Sequence, residues 1–322
     1  MKAIQMTRRM TTGLPWLVVW TALALVLPFA ARAQECVWTG VTHVVAVGDV
    51  HGDYDQFVLA LRSAKVIDAT NHWIAGKTHL VQTGDVLDRA PDSRKVMDLL
   101  MDLEKESVMA GGRVHALIGN HEAMVLLHDL RYVHSGEYAA FGGEAGFLAA
   151  LSPKGKYGQW ILGHNAAIRI NDVLFVHGGL APSYADKSLE KINQAIRKEL
   201  TESNKAGDSV AGDPSGPLWY RGLAVDGESV VEQELNSVLK AYGASRIVVG
   251  HTVSKNQIKV RAGGRLIMID VGMSRFYGGA ATCLEIEDGK FYSVKSDSRE
   301  ELPVGVPART PASSSRPRRR RN

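Results

Sequence analysis

Apolar residues along this chain recur in short blocks, and most blocks run into a polar loop that carries glycine. Residues 41–47 read as a buried strand, followed by Gly48-Asp49-Val50-His51-Gly52. Residues 54–65 then place Phe57, Leu61 and Ala64, with Leu59 and Ala60, at helical spacing. The pattern repeats. Residues 79–83 read as a strand, lead into Gly84-Asp85-Val86-Leu87-Asp88-Arg89, and give way to a helix over 92–106. That helix carries Val96, Leu99, Leu100 and Leu103 on one face, with Asp92 or Ser93 placed to cap it. A third strand over 113–118 leads to Gly119-Asn120-His121-Glu122 and a helix over 121–131. Strand, loop and helix in sequence predict a mainly parallel sheet covered by helices.

The second half reads differently. Residues 132–157 are rich in Gly, Ala and aromatics without a clear period, which predicts an inserted lobe or lid. Residues 166–175 alternate about Asn171-Asp172 as a hairpin and run into His177-Gly178-Gly179. Helices are expected over 189–200 and 230–242, with an exposed loop over 201–217 between them. A strand over 246–249 enters Gly250-His251-Thr252, and two hairpins follow, at 258–270 and 281–294. This half therefore predicts antiparallel pairing. The fold class expected is α/β, in the form of an α+β sandwich: two central mixed sheets flanked by helices, with one mouth between them.

The polar loops carry the chemistry. Asp49 and His51, then Asp85, Asp88 and Arg89, then Asn120 and His121, then His177, then His251 each follow an apolar run. Glycine beside these positions lets backbone approach closely. Oxygen and imidazole donors without thiolate suit manganese, iron or zinc rather than a structural zinc knot. Asp49, His51, Asp85, Asn120, His177 and His251 are too many for one tetrahedral ion and suit two divalent ions sharing a carboxylate. Paired ions of this kind clamp a phosphoryl group. His43, His72, His79, His115, His128, His134 and His164 lie outside the motifs and read as structural, and Gly163-His164-Asn165 reads as a turn. Asp53 is expected to cap the first helix and Glu122 to support the ligands, while Asp270-Val271-Gly272 ends a strand and reads either as lining the mouth or as a turn.

Charge changes the picture only at the ends. The chain is +4 overall, but residues 1–33 hold four basic residues and 303–322 hold six, with no acids in either. The remainder has 28 basic against 34 acidic residues, a net −6. No nucleic-acid partner is expected for the core. Residues 1–33 combine Lys2, Arg8 and Arg9, an uncharged apolar run and Ala31-Arg32-Ala33, the pattern of a cleavable signal peptide. That predicts export, to the periplasm. The catalytic domain is expected over 34–302, and 303–322 as a disordered Arg-rich tail able to touch anionic surfaces weakly. Cys36 and Cys283 are the only cysteines, and an exported chain allows but does not require a bridge between them.

Read as motifs, the loops are GDVHG, GDVLDRA, GNHE, HGGL and GHT. They resemble the calcineurin-like metallophosphoesterases, and within them the PPP-type protein phosphatases of the Shewanella-like branch, over roughly 41–270. Ala90 stands where the family has glycine, Ile118 where animal enzymes have arginine, and Val253 where cyclic-nucleotide-type phosphodiesterases have a second histidine. The resemblance implies that Asp49 and His51 bind the first ion, that Asp85 bridges, and that Asn120, His177 and His251 bind the second. It implies His121 as the general acid oriented by Asp88, Arg89 as a fork on phosphate, and in-line attack by metal-activated water without a phosphoenzyme. Arg221 is expected as a second clamp, and Asn120 as a residue that also faces substrate. The expected substrate is a phosphoprotein, on Ser/Thr or Tyr, and the first expected metal is manganese. Two rivals remain: hydrolysis of dinucleoside polyphosphates or other small phosphates, and an inactive metal-binding module. Asp88-Arg89 argues against the first, and retention of His121 and Asp88 against the second.

Overall fold

The first half folds as its periodicity dictates. The computed structural model describes residues 35–202, 209–279 and 281–305, so the expected signal peptide and most of the Arg-rich tail lie outside the described residues. A two-residue strand β1 (Val37–Trp38) precedes β2 (His43–Val47), whose apolar residues are buried on both faces. Helix α1 (Tyr54–Ser63) buries Phe57, Val58, Ala60 and Leu61, and Asp53 caps it by accepting the Gln56 N–H. Next come β3 (His79–Gln82), α2 (Ser93–Met109) and β4 (Arg113–Ala116). Asp92 stands at the N-cap of α2 but makes no capping bond, pairing instead with Lys95 at 2.7 Å. Helix α3 (Asn120–Leu126) ends earlier than expected, just before His128 turns into the left-handed region at φ 61°.

The lobe is helical, in three short pieces: α4 (Ser135–Ala140), α5 (Glu144–Leu151) and α6 (Lys156–Leu162). Helices of six to eight residues are too short for apolar periodicity to register in a window of ~11 residues. The expected hairpin follows as β5 (Ala167–Ile170) and β6 (Val173–Val176), turning at Asn171 with φ 53°. Helices α7 (Leu189–Glu202), α8 (Gly222–Val225) and α9 (Glu228–Tyr242) lead to β7 (Arg246–Val249). Residues 209–217 are more than an exposed loop: the Glu199 carboxylate accepts the N–H groups of Val210 and Ala211, and Ala211 is buried. The chain closes with β8 (Lys259–Arg261), β9 (Leu266–Met268), β10 (Thr282–Glu287), β11 (Lys290–Lys295) and the exposed β12 (Ser298–Glu301).

Pairing corrects the expectation of an antiparallel second half. One sheet runs β1-β5-β6-β7-β9-β8, and in it β6, β7 and β9 are parallel neighbours. The other runs β12-β11-β10-β2-β3-β4: β2, β3 and β4 are parallel, while β10 pairs antiparallel with β2. The last hairpin thus completes the sheet of β2, β3 and β4, a long-range choice that local pattern cannot reveal. A single apolar cluster runs through both sheets and their helices. Cys36 and Cys283 are free and buried apart, the first bonded to Glu190, so no bridge forms between them. Residues 303–305 still pack, with Arg246 donating to the Gly305 carbonyl at 2.6 Å. Among the described residues no helix is long and apolar enough to cross a membrane.

Candidate dimetal active site

Each parallel trio ends at the same place. The loops after β2, β3 and β4 carry Asp49 and His51, Asp85 to Arg89, and Asn120 and His121; those after β6, β7 and β9 carry His177, His251 and Asp270. Carboxyl ends of parallel strands leave backbone free to turn toward a ligand. The turns are tight. His51, Asp85, Asp88, Arg89 and His251 adopt φ of 48°, 58°, 72°, 71° and 63°, a region L-residues enter only when their surroundings impose it. A Cβ on Gly119 would lie 2.3 Å from Asp85 Oδ1, and one on Gly250 would lie 2.4 Å from Asp49 Oδ1. Glycine is required at both positions so that the carboxylates can sit against backbone.

Hydrogen bonds lock this arrangement. The buried Glu122 carboxylate accepts the N–H groups of Gly119, Asp85, Val86 and Leu87 at 2.7–3.1 Å, as a support for the ligand loops should. The Asp85 carbonyl accepts the N–H groups of Val50 and His51. Both Asp49 oxygens face the His251 N–H at 3.1 Å. His51 Nδ1 bonds the Leu87 carbonyl and His177 Nδ1 bonds the Thr83 carbonyl. A carbonyl only accepts, so each Nδ1 carries the proton and each Nε2 presents a lone pair.

Those lone pairs converge. Asp85 Oδ2 lies 3.3 Å from His177 Nε2, 3.7 Å from His51 Nε2 and 3.8 Å from His121 Nε2. Asn120 Oδ1 is 2.8 Å from His177 Nε2, and His251 Nδ1 is 3.2 Å from it. Two groups of mutually adjacent donors share Asp85: His51 with His121, and His177 with His251. The structure therefore gathers His51, His121, Asn120, His177 and His251 around one carboxylate. Asp49 is in neither trio but borders them, with both its oxygens facing the His251 N–H, while His121 Nε2 lies beside His51.

Burial sets the charges. It pushes His51 down to about 4 and His251 to about 2, keeping both imidazoles neutral as ligation requires. Burial, then the charges of Asp270 and Asp85, hold Asp49 well above the carboxylate range. Burial also opposes ionisation of Asp85, but His177, His121 and His51 together hold it well below that range. At His121 burial favours the neutral ring; Asp85 and the 2.5 Å bond from Nδ1 to Asp88 outweigh it and raise the ring's pKa. Arg89 lies over the Tyr132 ring at 3.9 Å, its Nε buried without a partner. Arg221 donates to the His251 carbonyl at 2.6 Å and to Thr252 Oγ1 at 3.0 Å, placing it at the His251 side of the site rather than in a surface ion pair.

Some residues the sequence reading undervalued. Asp270 is not merely part of a turn: it is buried, accepts the Gly272 N–H at 2.9 Å, and is pushed by burial up to about 6. Its signal was its place at the end of an apolar strand. Tyr132, Phe276 and Tyr277 also reach the site, and nothing in local pattern singles them out. Most histidines outside the motifs have partners away from the site, such as His164 with Glu104 and His72 with Glu106.

Comparison with known proteins agrees with this geometry. Residues 42–255 match the calcineurin-like phosphoesterase family. The chain is 34% identical over 265 residues to an uncharacterized protein of Schizosaccharomyces pombe, covering 79% of this chain and 80% of that one. It is 30% identical over 272 residues to Shewanella-like protein phosphatase 1 of Plasmodium berghei, covering 80% and 75%. Its fold superposes on a cold-active protein-tyrosine phosphatase of a psychrophilic Shewanella species with TM-score 0.75 and 32% identity, covering 84% and 82%. With both sheets delivering oxygen and imidazole donors to one buried carboxylate, and relatives of this extent, the chain belongs to the calcineurin-like phosphoesterases, in their Shewanella-like protein phosphatase branch, and is a phosphoester hydrolase.

Proposed function

We propose that this site hydrolyses phosphate monoesters on proteins, at Ser/Thr or Tyr, with two divalent ions, manganese first among them. The observation that carries the reading is the placement of three imidazole Nε2 atoms within 3.3–3.8 Å of Asp85 Oδ2, beside a His121–Asp88 pair. The donors fit hard and borderline cations: buried oxygens and neutral imidazoles, with His251 turning Nδ1 to within 3.2 Å of His177 Nε2. Asp49, His51, Asp85, Asn120, His177 and His251 would hold the ions. When bound, such ions supply Lewis acidity toward phosphoryl oxygens and acidify water.

The chain's own groups supply the rest. Asp88 holds His121 Nδ1–H, which keeps the other ring nitrogen free to deliver a proton to the leaving oxygen. Arg89 has no ion-pair partner among the described residues, so its donors are available to fork onto phosphate. Arg221, at the His251 side, supplies the second clamp. The front segment takes the protein to the periplasm, and the basic tail adds weak contact with anionic surfaces; mass spectrometry of secreted protein starting at Gln34 would support the first point, and retention of an uncut leader would refute it. The enzymatic reading is tested by loading purified protein with Mn²⁺, Fe²⁺ or Zn²⁺ and offering phosphoserine, phosphothreonine and phosphotyrosine peptides beside diadenosine tetraphosphate. Phosphate release from peptides supports it. Turnover of the dinucleotide alone, or of nothing with any ion, overturns it.

A further inference from the structure

Six planar groups close a ring at the mouth of the site. His51 and His121 lie 4.7 Å apart by ring centroid, and His121 lies 5.4 Å from Tyr132. The Arg89 guanidinium sits 3.9 Å over Tyr132 and 5.2 Å from the Phe276 ring. Phe276 is 5.0 Å from Tyr277, and Tyr277 is 5.6 Å from His51. Three of these groups come from two segments outside the ligand motifs. Tyr132 opens the lobe, and its carbonyl accepts the Arg89 N–H at 3.1 Å. Phe276 rides on the loop after β9, which Arg275 fastens to Asp53 through its backbone N–H at 2.7 Å and its guanidinium at 2.8–3.2 Å. Phe276 is nonetheless 58% exposed, an unusual position for a phenyl ring with no packing task.

We propose that Tyr132 and Phe276 are positioning residues for Arg89, holding its guanidinium flat between two π faces so that its N–H edge stays free for phosphate. The proposal rests on Arg89 being the phosphate fork. An arginine oriented by a carboxylate surrenders donors to that partner. An arginine oriented by rings surrenders none, because a ring attracts the flat face of the cation and leaves the edge exposed. Arg89 makes no side-chain hydrogen bond and no ion pair among the described residues, and its backbone is held by the φ of 71° and by Tyr132. Among the described residues the side chain is thus held by ring contacts alone, one from the lobe and one from the last mouth loop.

The test is a double-mutant cycle on the metal-loaded full-length protein, read by calorimetric binding of inorganic phosphate and by hydrolysis of a phosphopeptide. Phe276→Ala and Tyr132→Ala each weaken phosphate binding about tenfold and raise KM alike, with kcat within about threefold. Tyr132→Phe and Phe276→Tyr keep wild-type values, since the π face is retained. In an Arg89→Ala background the same alanine changes have no further effect, which is the mark of coupling. Equal losses with and without Arg89 overturn the proposal, as does phosphate binding that ignores Arg89→Ala. Absence of peptide hydrolysis with Arg89-dependent phosphate binding intact would fault the assigned reaction and leave the stack standing.

Discussion

The floor of the site and its rim are built on opposite terms. The floor is charged, buried and held by backbone: Glu122 alone gathers four N–H groups, and five residues there accept left-handed φ angles. The rim is aromatic and partly exposed, held by ring contacts and one Arg275–Asp53 clamp. A buried carboxylate cannot be left unsatisfied, so the floor has no freedom of position. A stacked ring tolerates small displacement at little energetic penalty. Substitutions on the floor should therefore abolish chemistry, and those on the rim should grade it.

The largest effect is expected at the centre. Asp85→Ala removes the carboxylate shared by both donor groups, and should lower kcat/KM on the order of 10³-fold or more while metal content measured by mass spectrometry falls with it. Asp88→Asn comes next, with a loss of about 10²–10⁴-fold at retained metal content. It should also move the rate profile. Asp88 helps raise the pKa of His121, so removing its charge lowers that pKa, and the protonated acid is lost at lower pH. The alkaline limb of kcat against pH should shift down; an unmoved limb would remove Asp88 from this role.

Between floor and rim stands Glu122. Glu122→Gln puts an amide donor among four N–H donors and should weaken metal affinity about 10–100-fold, measured by competition with a chelator. Glu137 separates stability from chemistry. Burial pushes its carboxyl up to about 7, and only Oε1 has a partner, the Ser93 N–H. A folded pKa above the unfolded one means the folded state binds more protons between about 4.5 and 7, so stability falls as pH rises through that window. Wild-type Tm should drop from pH 5 to 7 relative to Glu137→Gln, by an amount equivalent to a few kcal/mol at most; parallel curves would refute this. The smallest effect belongs to Arg275→Ala, which takes an exposed guanidinium off the buried Asp53 carboxylate but leaves that carboxylate its backbone N–H donors, and should raise KM only about two- to fivefold with kcat unchanged.

Much of this contrast was open to reading from the chain, and the division follows range. GDVHG, GDVLDRA and GNHE each sit on a strand and turn a few residues long, so the residues that do the work advertise themselves together. Strands β2, β3, β4 and β7 and helices α1, α2 and α9 have enough periodic apolar positions to be recognised. The lobe helices were too short, β12 carries no apolar residue, and β1 has only two residues. Local pattern left Asp270 open between mouth lining and a turn, because its neighbours at the site, Asp49 and Asp85, are about 200 residues away in the chain.

What the sequence determined by itself was the donor set and its local backbone, because glycine, aspartate and histidine in a tight turn express short-range sterics and ligand chemistry. What the tertiary structure alone decided was partnership. Joining β10 to β2, running β6, β7 and β9 in parallel, and bringing Tyr132 and Phe276 onto Arg89 are pairings across about 20 to 240 residues. Each reflects the burial of one shared apolar core, a property of the folded whole that no window of sequence contains.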